Sequence, residues 1–389
     1  MIKNYKVKLH VLSPIHIGMG DAYDPTQFVI DKDGLMYVFD TNDFLKSLDS
    51  EKSMEFCKLA DNANNPVPVF RFFRDNFDIV KDKIRYRQVE IPSDLCSRYN
   101  EICDSESFPQ KQINQFELRR NIYNPFKNVP YIPGSTIKGA LKTIWLSSKN
   151  QKTTKITNAF NKYSDVEPFA RNDKLVDDIM KIDKSKLGKG EVKFSYDPFR
   201  FVKVSDFYAN SEVSSSIVYS INVPKNTNKK EKESLSVPLE AILAGNIFYG
   251  VITIDDSENI PKHKRPMTTV TLEDIAKKYC RAYYIPIMKN EQDSLKLLGG
   301  SMQYLNKIAE FGDKRFVTAF PIRIGMHSGA ESVTIDGNRR IKIMQGKGRP
   351  PKYMDSPTTV WLASSTKTRL SNKRYPPFGW AMLEFEEMK

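Results

Sequence analysis

The stretch that decides the fold runs Tyr131-Ile-Pro-Gly-Ser-Thr-Ile-Lys-Gly-Ala-Leu141. Pro133 and Gly134 favour a chain reversal, because proline presets one backbone angle and glycine turns without steric cost. The residues that follow predict a helix with an apolar stripe, formed by Ile137, Leu141, Ile144 and Trp145. We therefore predict a turn that opens directly into a helix docked on a hydrophobic core.

The start of this predicted helix has the features of an anion site. Its first free N–H groups lie near Gly134, where Ser135 or Thr136 is able to cap them. Lys138 and Lys142 lie four residues apart and off the apolar stripe. A helix N-terminus beside cations attracts phosphate groups. The residue order differs from that of a nucleotide-binding P-loop, and an ordinary structural helix start explains the same residues.

The formal charge of the chain is +13 and is concentrated towards its end. Residues 314–374 contain thirteen basic and three acidic residues. Such a concentration is typical of proteins that bind polyanions, so we predict a nucleic-acid partner. A solvated basic surface without a partner is the alternative. The cations that we predict as RNA contacts here are Arg323, Arg339, Arg340, Lys342, Lys347 and Arg349.

The cysteine content argues against a metal centre or a disulfide framework, because the four cysteines form no CxxC pair. No apolar run approaches the length of a membrane span. The first residues alternate like a strand rather than a signal peptide. We therefore predict no metal, no cofactor, no membrane contact and a cytoplasmic location.

The motif Pro133-Gly-Ser-Thr-Ile-Lys-Gly139 resembles the central motif of the RAMP superfamily of CRISPR RNA-binding proteins. Further stretches are similar to the strands and turns of that superfamily: Leu12–Asp21, Asp24–Ile30, Tyr37–Asp40, Asp197–Asp206 and Tyr375–Glu384. The Asp24-Pro-Thr opening, the large insertion after it and the chain length resemble the fifth-subunit family of type III-A (Csm) effectors. The resemblance implies a subunit that caps the complex at the 3′ end of CRISPR RNA (crRNA).

The resemblance and the order of predicted strands imply an α+β fold with two ferredoxin-like (RRM-like) RAMP domains. We expect an N-terminal RAMP domain at residues 1–256, with an insertion at about 50–128 and a β-hairpin thumb at about 212–240. We expect a C-terminal RAMP-like domain at residues 257–389, which contains the basic segment 314–374. Unequal insertions between the strands argue against a regular parallel sheet.

Local patterns predict individual elements. Phe28–Ile30 and Met36–Phe39 have the pattern of a hairpin around Asp33-Gly34, followed by a helix from about Asn42. Ile247 to Ile254 alternates as a strand, and Leu295 to Phe311 has a helical pattern.

Glycine turns and the thumb supply the remaining candidate RNA contacts. Gly18 and Gly20 follow the first strand, and the resemblance implies that this turn touches the RNA backbone; a plain turn is the alternative. His16 is either a hydrogen-bonded structural residue or an RNA contact. The later loop Gly325–Gly329 departs from the family pattern, because Glu331 beside it would repel phosphate. The thumb candidates are Lys225, Lys229 and Lys230.

The resemblance implies a non-catalytic, RNA-binding end subunit. Its expected partners are crRNA, the duplex with target RNA, the neighbouring Csm backbone subunit and the small subunit, with trimming nucleases recruited for crRNA 3′-end maturation. We assign no catalytic residue, because the histidines show no evident acid–base pair; they are His10, His16, His263 and His327. The alternatives are a metal-independent RAMP endoribonuclease that processes precursor crRNA and a protein-only scaffold.

Overall fold

A computed structural model provides the fold of the chain. It describes residues 2–61, 65–105, 116–152, 173–180, 197–226, 236–255, 270–272, 275, 280–311, 318–339, 341–345, 348–370 and 372–388. The helices of this part are α1 (Thr41–Lys46), α2 (Ser50–Ala60), α3 (Val67–Val80), α4 (Ser93–Asp104), α5 (Gly134–Lys152), α6 (Asp173–Met180), α7 (Arg281–Leu298) and α8 (Gln303–Glu310).

The strands of the described residues form two large sheets and two short hairpins. The first nine are β1 (Ile2–Val11), β2 (Gly18–Ala22), β3 (Phe28–Ile30), β4 (Leu35–Phe39), β5 (Tyr86–Glu90), β6 (Arg119–Asn121), β7 (Tyr123–Asn124), β8 (Val129–Pro130) and β9 (Val202–Val204). The others are β10 (Tyr208–Ala209), β11 (Ser215–Pro224), β12 (Val237–Ile242), β13 (Ile247–Asp255), β14 (Ala319–Arg323), β15 (Ile341–Ile343), β16 (Lys352–Met354), β17 (Thr359–Ser364) and β18 (Trp380–Glu387).

The first sheet is antiparallel and has the order β10-β13-β1-β18-β14, with β9 also paired to β13. Strand β1 buries Tyr5, Val7 and Leu9 and exposes Lys6 and Lys8 between them, which is the alternation of a half-buried strand. The chain order β1, α5, β9 and β13 is the strand–helix–strand–strand order with which a ferredoxin-like fold begins. Strand β18 is inserted between β1 and β14.

The helix predicted from the opening motif is α5, and it packs against β9 at one end of the first sheet. All four residues of its predicted apolar stripe are buried, namely Ile137, Leu141, Ile144 and Trp145. The predicted turn-to-helix transition is therefore confirmed, and its apolar face explains the docking.

The second sheet has the order β2-β6-β12-β11-β5-β4-β3, with β17 paired to β11. It contains the predicted β3–β4 hairpin. Strands β11 and β12 also form a hairpin, with a register from Ser215↔Ile242 to Ser220↔Val237. This hairpin lies where the thumb is predicted, and residues 227–235 of its tip lie outside the described residues.

Two sequence-based expectations differ from the structure in detail. The described residues of the segment at about 50–128 contain the three helices α2 to α4, and they also supply β5 and β6 to the second sheet. The helix predicted from Leu295 to Phe311 is instead the end of α7 followed by α8. Gly299 ends α7 in the left-handed conformation (φ 65°), which is a common helix termination.

Both sheets contain strands from either side of residue 256. Strand β1 pairs with β13 and with β18, and β11 pairs with β12 and with β17. One large cluster of buried apolar side chains extends from Tyr5 to Phe385. Residue 256 itself lies outside the described residues, so the division into domains at 1–256 and 257–389 stays a prediction.

Candidate nucleic-acid interface

The start of α5 is held against the edge of the first sheet. The Gly134 N–H donates to the Asp206 carboxylate at 2.8 Å. A side chain at this position would overlap the carbonyl oxygens of Val204 and Ser205, so the backbone approaches as closely as only glycine allows. Ser135 is exposed and Thr136 is partly buried. One N–H of the predicted anion site is thus already occupied by a carboxylate of the chain.

The two lysines of α5 have different surroundings. Lys142 forms an ion pair with the carboxylate of Asp197. Burial lowers the pKa of Lys138, with Asp197 opposing and Lys142 adding to this effect. Among the residues that the structure describes, Lys138 forms no ion pair. It is therefore the cation of this helix start that is available to a ligand.

The glycine turn is connected to this helix start through strand β6. Gly18 and Gly20 are exposed on β2, and Gly20 has a φ of 93°. Strand β2 pairs with β6 at Gly18↔Asn121, and the chain then runs through the β7–β8 hairpin into α5. The structure therefore links the two predicted RNA-contacting elements through the β2–β6 pairing and the segment that runs from β6 to α5.

His16, by contrast, is interior, with an exposed fraction of 1%. Its ring Nδ1 lies 2.7 Å from the Glu240 carbonyl oxygen, and its own carbonyl accepts from the Met326 N–H at 2.7 Å. Burial lowers its pKa, although the hydrogen bond to Glu240 opposes this. In this position the imidazole fixes the base of the glycine turn rather than facing an RNA strand.

The later loop Gly325–Gly329 lies directly against the glycine turn through the Met326–His16 hydrogen bond. His327 has a φ of 63°, and its ring centroid lies 4.2 Å from that of Trp361. Burial lowers the pKa of His327 to about 4, with smaller contributions from His16 and Arg119. Glu331, expected to repel phosphate, is buried.

The lowered pKa of His327 predicts a pH-dependent stability. Between its ordinary pKa of 6.5 and about 4, the unfolded chain binds a proton that the folded chain does not. The free energy of unfolding should therefore fall by up to about 3 kcal/mol as the pH drops through this window. Replacing the residue by asparagine, which tolerates positive φ, should flatten the dependence. Urea unfolding of the wild type and the variant at several pH values measures this dependence. If the free energy of unfolding falls equally with pH in both proteins, His327 is not its cause.

The C-terminal basic residues do not form one surface. Arg323 is 3% exposed and its guanidinium is 2.6 Å from the Glu291 carboxylate. Arg339 pairs with Asp336 at 2.7 Å. Lys342 and Arg349 are exposed, as the prediction required, whereas Arg340 and Lys347 lie outside the described residues. A guanidinium in the position of Arg323 stabilises the interior rather than contacting RNA.

Arg339 is also distant from the helix start. Its partner Asp336 accepts at its carbonyl from the Asn150 side chain at 2.6 Å, near the C-terminal end of α5. Asn150 and Lys138 are separated by about 18 Å along the helix at 1.5 Å per residue. Of the thumb lysines, Lys225 is partly exposed, and Lys229 and Lys230 lie outside the described residues.

A buried charge network supports the glycine turn, and no sequence pattern indicated it. The Glu240 carboxylate accepts from Arg87 at 2.6 Å, from Tyr23 at 2.6 Å and from Ser215 at 3.0 Å. Burial raises the pKa of Glu240, but Arg87 and the hydrogen bonds lower it more, and the net direction is downward. Arg87 and Ser215 come from separate strands of the second sheet and Tyr23 directly follows β2, so these partners lie far apart in the sequence and no local spacing indicates their contact.

Two kinds of site are not found in the described ranges. No group of three or more metal-ligating side chains lies together there. Among the same residues, no helix combines the length and the apolar character that a membrane crossing requires.

Comparisons with known proteins show which superfamily the sequence of this chain matches. The model of the RAMP superfamily matches residues 8–317. A protein of Methanocaldococcus jannaschii named "CRISPR system Cms protein Csm5" is 26% identical over 285 residues, which are 70% of this chain and 58% of the relative. The chain thus spans 58% of the length of that curated relative.

Two solved structures have a similar fold. A chain of a Csm–crRNA–target RNA ternary complex from a type III-A CRISPR-Cas system has a TM-score of 0.56 at 17% identity, covering 98% of this chain and 100% of its own. The crystal structure of T. onnurineus Csm5 has a TM-score of 0.55 at 16% identity, covering 96% and 99%. The predicted α+β class is therefore confirmed.

Proposed function

Because the chain belongs to the RAMP superfamily, we propose that it is a non-catalytic, RNA-binding subunit of a type III-A CRISPR effector ribonucleoprotein. In this role it caps the 3′ side of the crRNA and supports maturation of the crRNA 3′ end. The observation that carries the proposal is the pairing of the exposed glycine turn at Gly18–Gly20 with β6, the strand from which the chain runs into the start of α5. Exposed backbone and the Lys138 cation suit contacts to a phosphate backbone.

The proposed partners follow from the same role. They are single-stranded crRNA, its duplex with target RNA, the neighbouring backbone subunit and the small subunit, all in the cytoplasm. Trimming nucleases would meet the crRNA end at this subunit. The similarity to the Csm5 relative and to the ternary-complex chain supports these partners.

Lys138 is predicted to contact an RNA phosphate. Lys138→Glu should weaken binding of single-stranded RNA roughly ten-fold, because a charge-assisted contact contributes about 1.5 kcal/mol. Lys138→Met should reduce the slope of log affinity against log salt by about 0.7, the value for one phosphate on a single strand. Filter binding over a salt series measures both quantities.

The matched control is Lys58→Met. Lys58 is exposed on α2, which is not part of the proposed interface, so this variant should leave the salt slope unchanged. Lys142→Met should have a smaller effect than Lys138→Met, since Asp197 already holds that ammonium group. Charge reversal at Lys229 and Lys230 should also have a smaller effect. If Lys138→Met and wild type have equal salt slopes, the helix start is not part of the RNA interface. If the RNA affinity of the wild type does not change with salt, the protein-only scaffold is favoured.

The alternative is a metal-independent endoribonuclease that processes precursor crRNA. One observation favours it: the later glycine loop brings His327 into electrostatic reach of His16. However, a general acid needs a pKa near the working pH, and the pKa of each ring is lowered, that of His327 to about 4. Incubation with precursor RNA in EDTA separates the two functions. Site-specific cleavage that His16→Ala or His327→Ala abolishes would establish the nuclease.

A further inference from the structure

An aromatic ring projects from the β7–β8 hairpin, in the stretch between the glycine turn and α5. Phe126 lies at the tip and is 92% exposed, the largest exposed fraction among the large apolar side chains that the structure describes. Pro125 and Lys127 beside it are exposed as well. A single exposed apolar side chain is common on protein surfaces, so a ligand is inferred from how this ring is presented and from what lies beside it.

The hairpin tip is held in a defined conformation. The backbone N–H groups of Phe126 and Lys127 both donate to the Asn124 side-chain oxygen, at 3.0 and 3.1 Å. This arrangement is an asparagine-stabilised turn. The ring is therefore presented by an ordered turn, which reduces the entropy lost when it meets a ligand.

The base of the hairpin is braced by a second set of contacts. The Arg120 guanidinium lies 3.4 Å from the centre of the Tyr123 ring and donates to the Asn128 side-chain oxygen at 2.8 Å. The Asn128 amide donates to the Val38 carbonyl at 3.2 Å. Asn128 adopts a φ of 51°, a left-handed conformation that asparagine tolerates. The hairpin is thus fixed to the second sheet while its tip stays free.

We propose that Phe126 is a base-stacking residue, which rests on the RNA-binding function proposed above. Its ring packs on one nucleobase of the bound single strand, and Lys127 beside it faces the adjoining phosphate. This contact is separate from the predicted thumb at 212–240, and it lies between the two elements of the proposed interface along the chain.

The surroundings of the ring favour a nucleobase over a protein pocket. An aromatic anchor in a protein interface is normally surrounded by further buried contacts that exclude water. Around Phe126, the turn residues are instead asparagine, proline and lysine, and Asn124–Asn128 contains no carboxylate. One aromatic face beside one cation is the usual arrangement for stacking and charge contacts with a single-stranded nucleic acid.

The test uses the full chain and single-stranded RNA oligonucleotides that carry the fluorescent base 2-aminopurine at successive positions. Wild-type protein should quench the fluorescence at one position through stacking. Phe126→Ala should abolish that quenching and weaken RNA affinity roughly ten-fold, within the usual range for one stacked base. Phe126→Trp should keep both, because it retains an aromatic face.

The control for apolar volume is Phe126→Leu, which should behave like the alanine variant. If leucine keeps full affinity, the contact is an apolar one with another protein or surface, and base stacking is wrong.

A second control is Leu297→Ala on α7, which removes a 70% exposed apolar side chain and should leave both the quenching and the RNA affinity unchanged. If wild type binds RNA and Phe126→Ala binds equally well, this inference alone fails. If wild type does not bind RNA at all, the proposed function fails with it. Thermal unfolding by circular dichroism verifies that each variant is folded.

Discussion

Replacing Glu240 by alanine should lower the free energy of unfolding by about 3–5 kcal/mol, the usual cost of leaving a buried charge without its partner. The Glu240 side chain is fully buried, and that of Arg87 is 10% exposed. Alanine would leave the Arg87 guanidinium without its 2.6 Å carboxylate partner. The hydroxyls of Tyr23 and Ser215 would lose an acceptor in the same step. Denaturant unfolding at neutral pH measures the loss.

Three further variants isolate the cause. Glu240→Gln keeps the shape of the side chain and removes the charge, so its cost should lie between wild type and alanine. Glu90→Ala removes an exposed carboxylate from β5, the strand that also carries Arg87, and should change stability by less than about 0.5 kcal/mol. Combining Glu240→Leu with Arg87→Met should cost less than the sum of the two single changes. Additive costs would show that the two groups do not act as a pair.

Replacing Arg323 by methionine should also cost about 3–5 kcal/mol of unfolding free energy, because it leaves Glu291 charged in the interior. The guanidinium donates to the Phe378 carbonyl at 3.0 Å and lies 4.9 Å from the centre of the Trp380 ring. Glu291 in turn accepts from the Trp380 ring N–H at 2.7 Å. Denaturant unfolding reports the stability, and RNA binding below the unfolding range reports the affinity of the folded protein.

The matched control is Lys342→Met, an exposed cation from the same basic segment. It should change the free energy of unfolding by less than about 0.5 kcal/mol and reduce the slope of log RNA affinity against log salt. Arg323→Met should instead lower the free energy of unfolding and leave that slope unchanged. A variant at position 323 that keeps its stability but loses RNA affinity would restore Arg323 as an RNA contact. The two measurements together separate a structural cation from a binding one.

Local patterns predicted the elements whose formation depends on neighbours in the chain. The β3–β4 hairpin depends on a turn, and α5 depends on a glycine turn and a period of about 3.6 residues; both formed as predicted. The division between α7 and α8 was missed, because the helical pattern continues across the left-handed Gly299. The strands β5 and β6 were missed as well, and each has a pairing partner that is distant in the sequence: β5 pairs with β4 and β11, and β6 with β2 and β12.

The candidate site was predicted less completely than the fold, for an electrostatic reason. Lys138 and Lys142 are equivalent in sequence, but of the two only Lys142 forms an ion pair with Asp197 among the described residues. Arg323 and Lys342 belong to one basic segment, but only Arg323 is enclosed by Glu291 and Trp380. A charge that is taken out of water must be paired, and the pairing partner is set by packing rather than by spacing along the chain.

The amino-acid order alone determined the RAMP motif, the α+β class and the helix that carries the motif. These features follow from backbone preferences and apolar periodicity, which depend on residues close together in the sequence. Tertiary packing decided which cations reach solvent, and it brought the His16 and His327 loops together. It also presented Phe126 on a braced hairpin. These outcomes depend on sheet register and on contacts between distant segments, and the cost of burying a charge or a polar group is met only once those segments have packed.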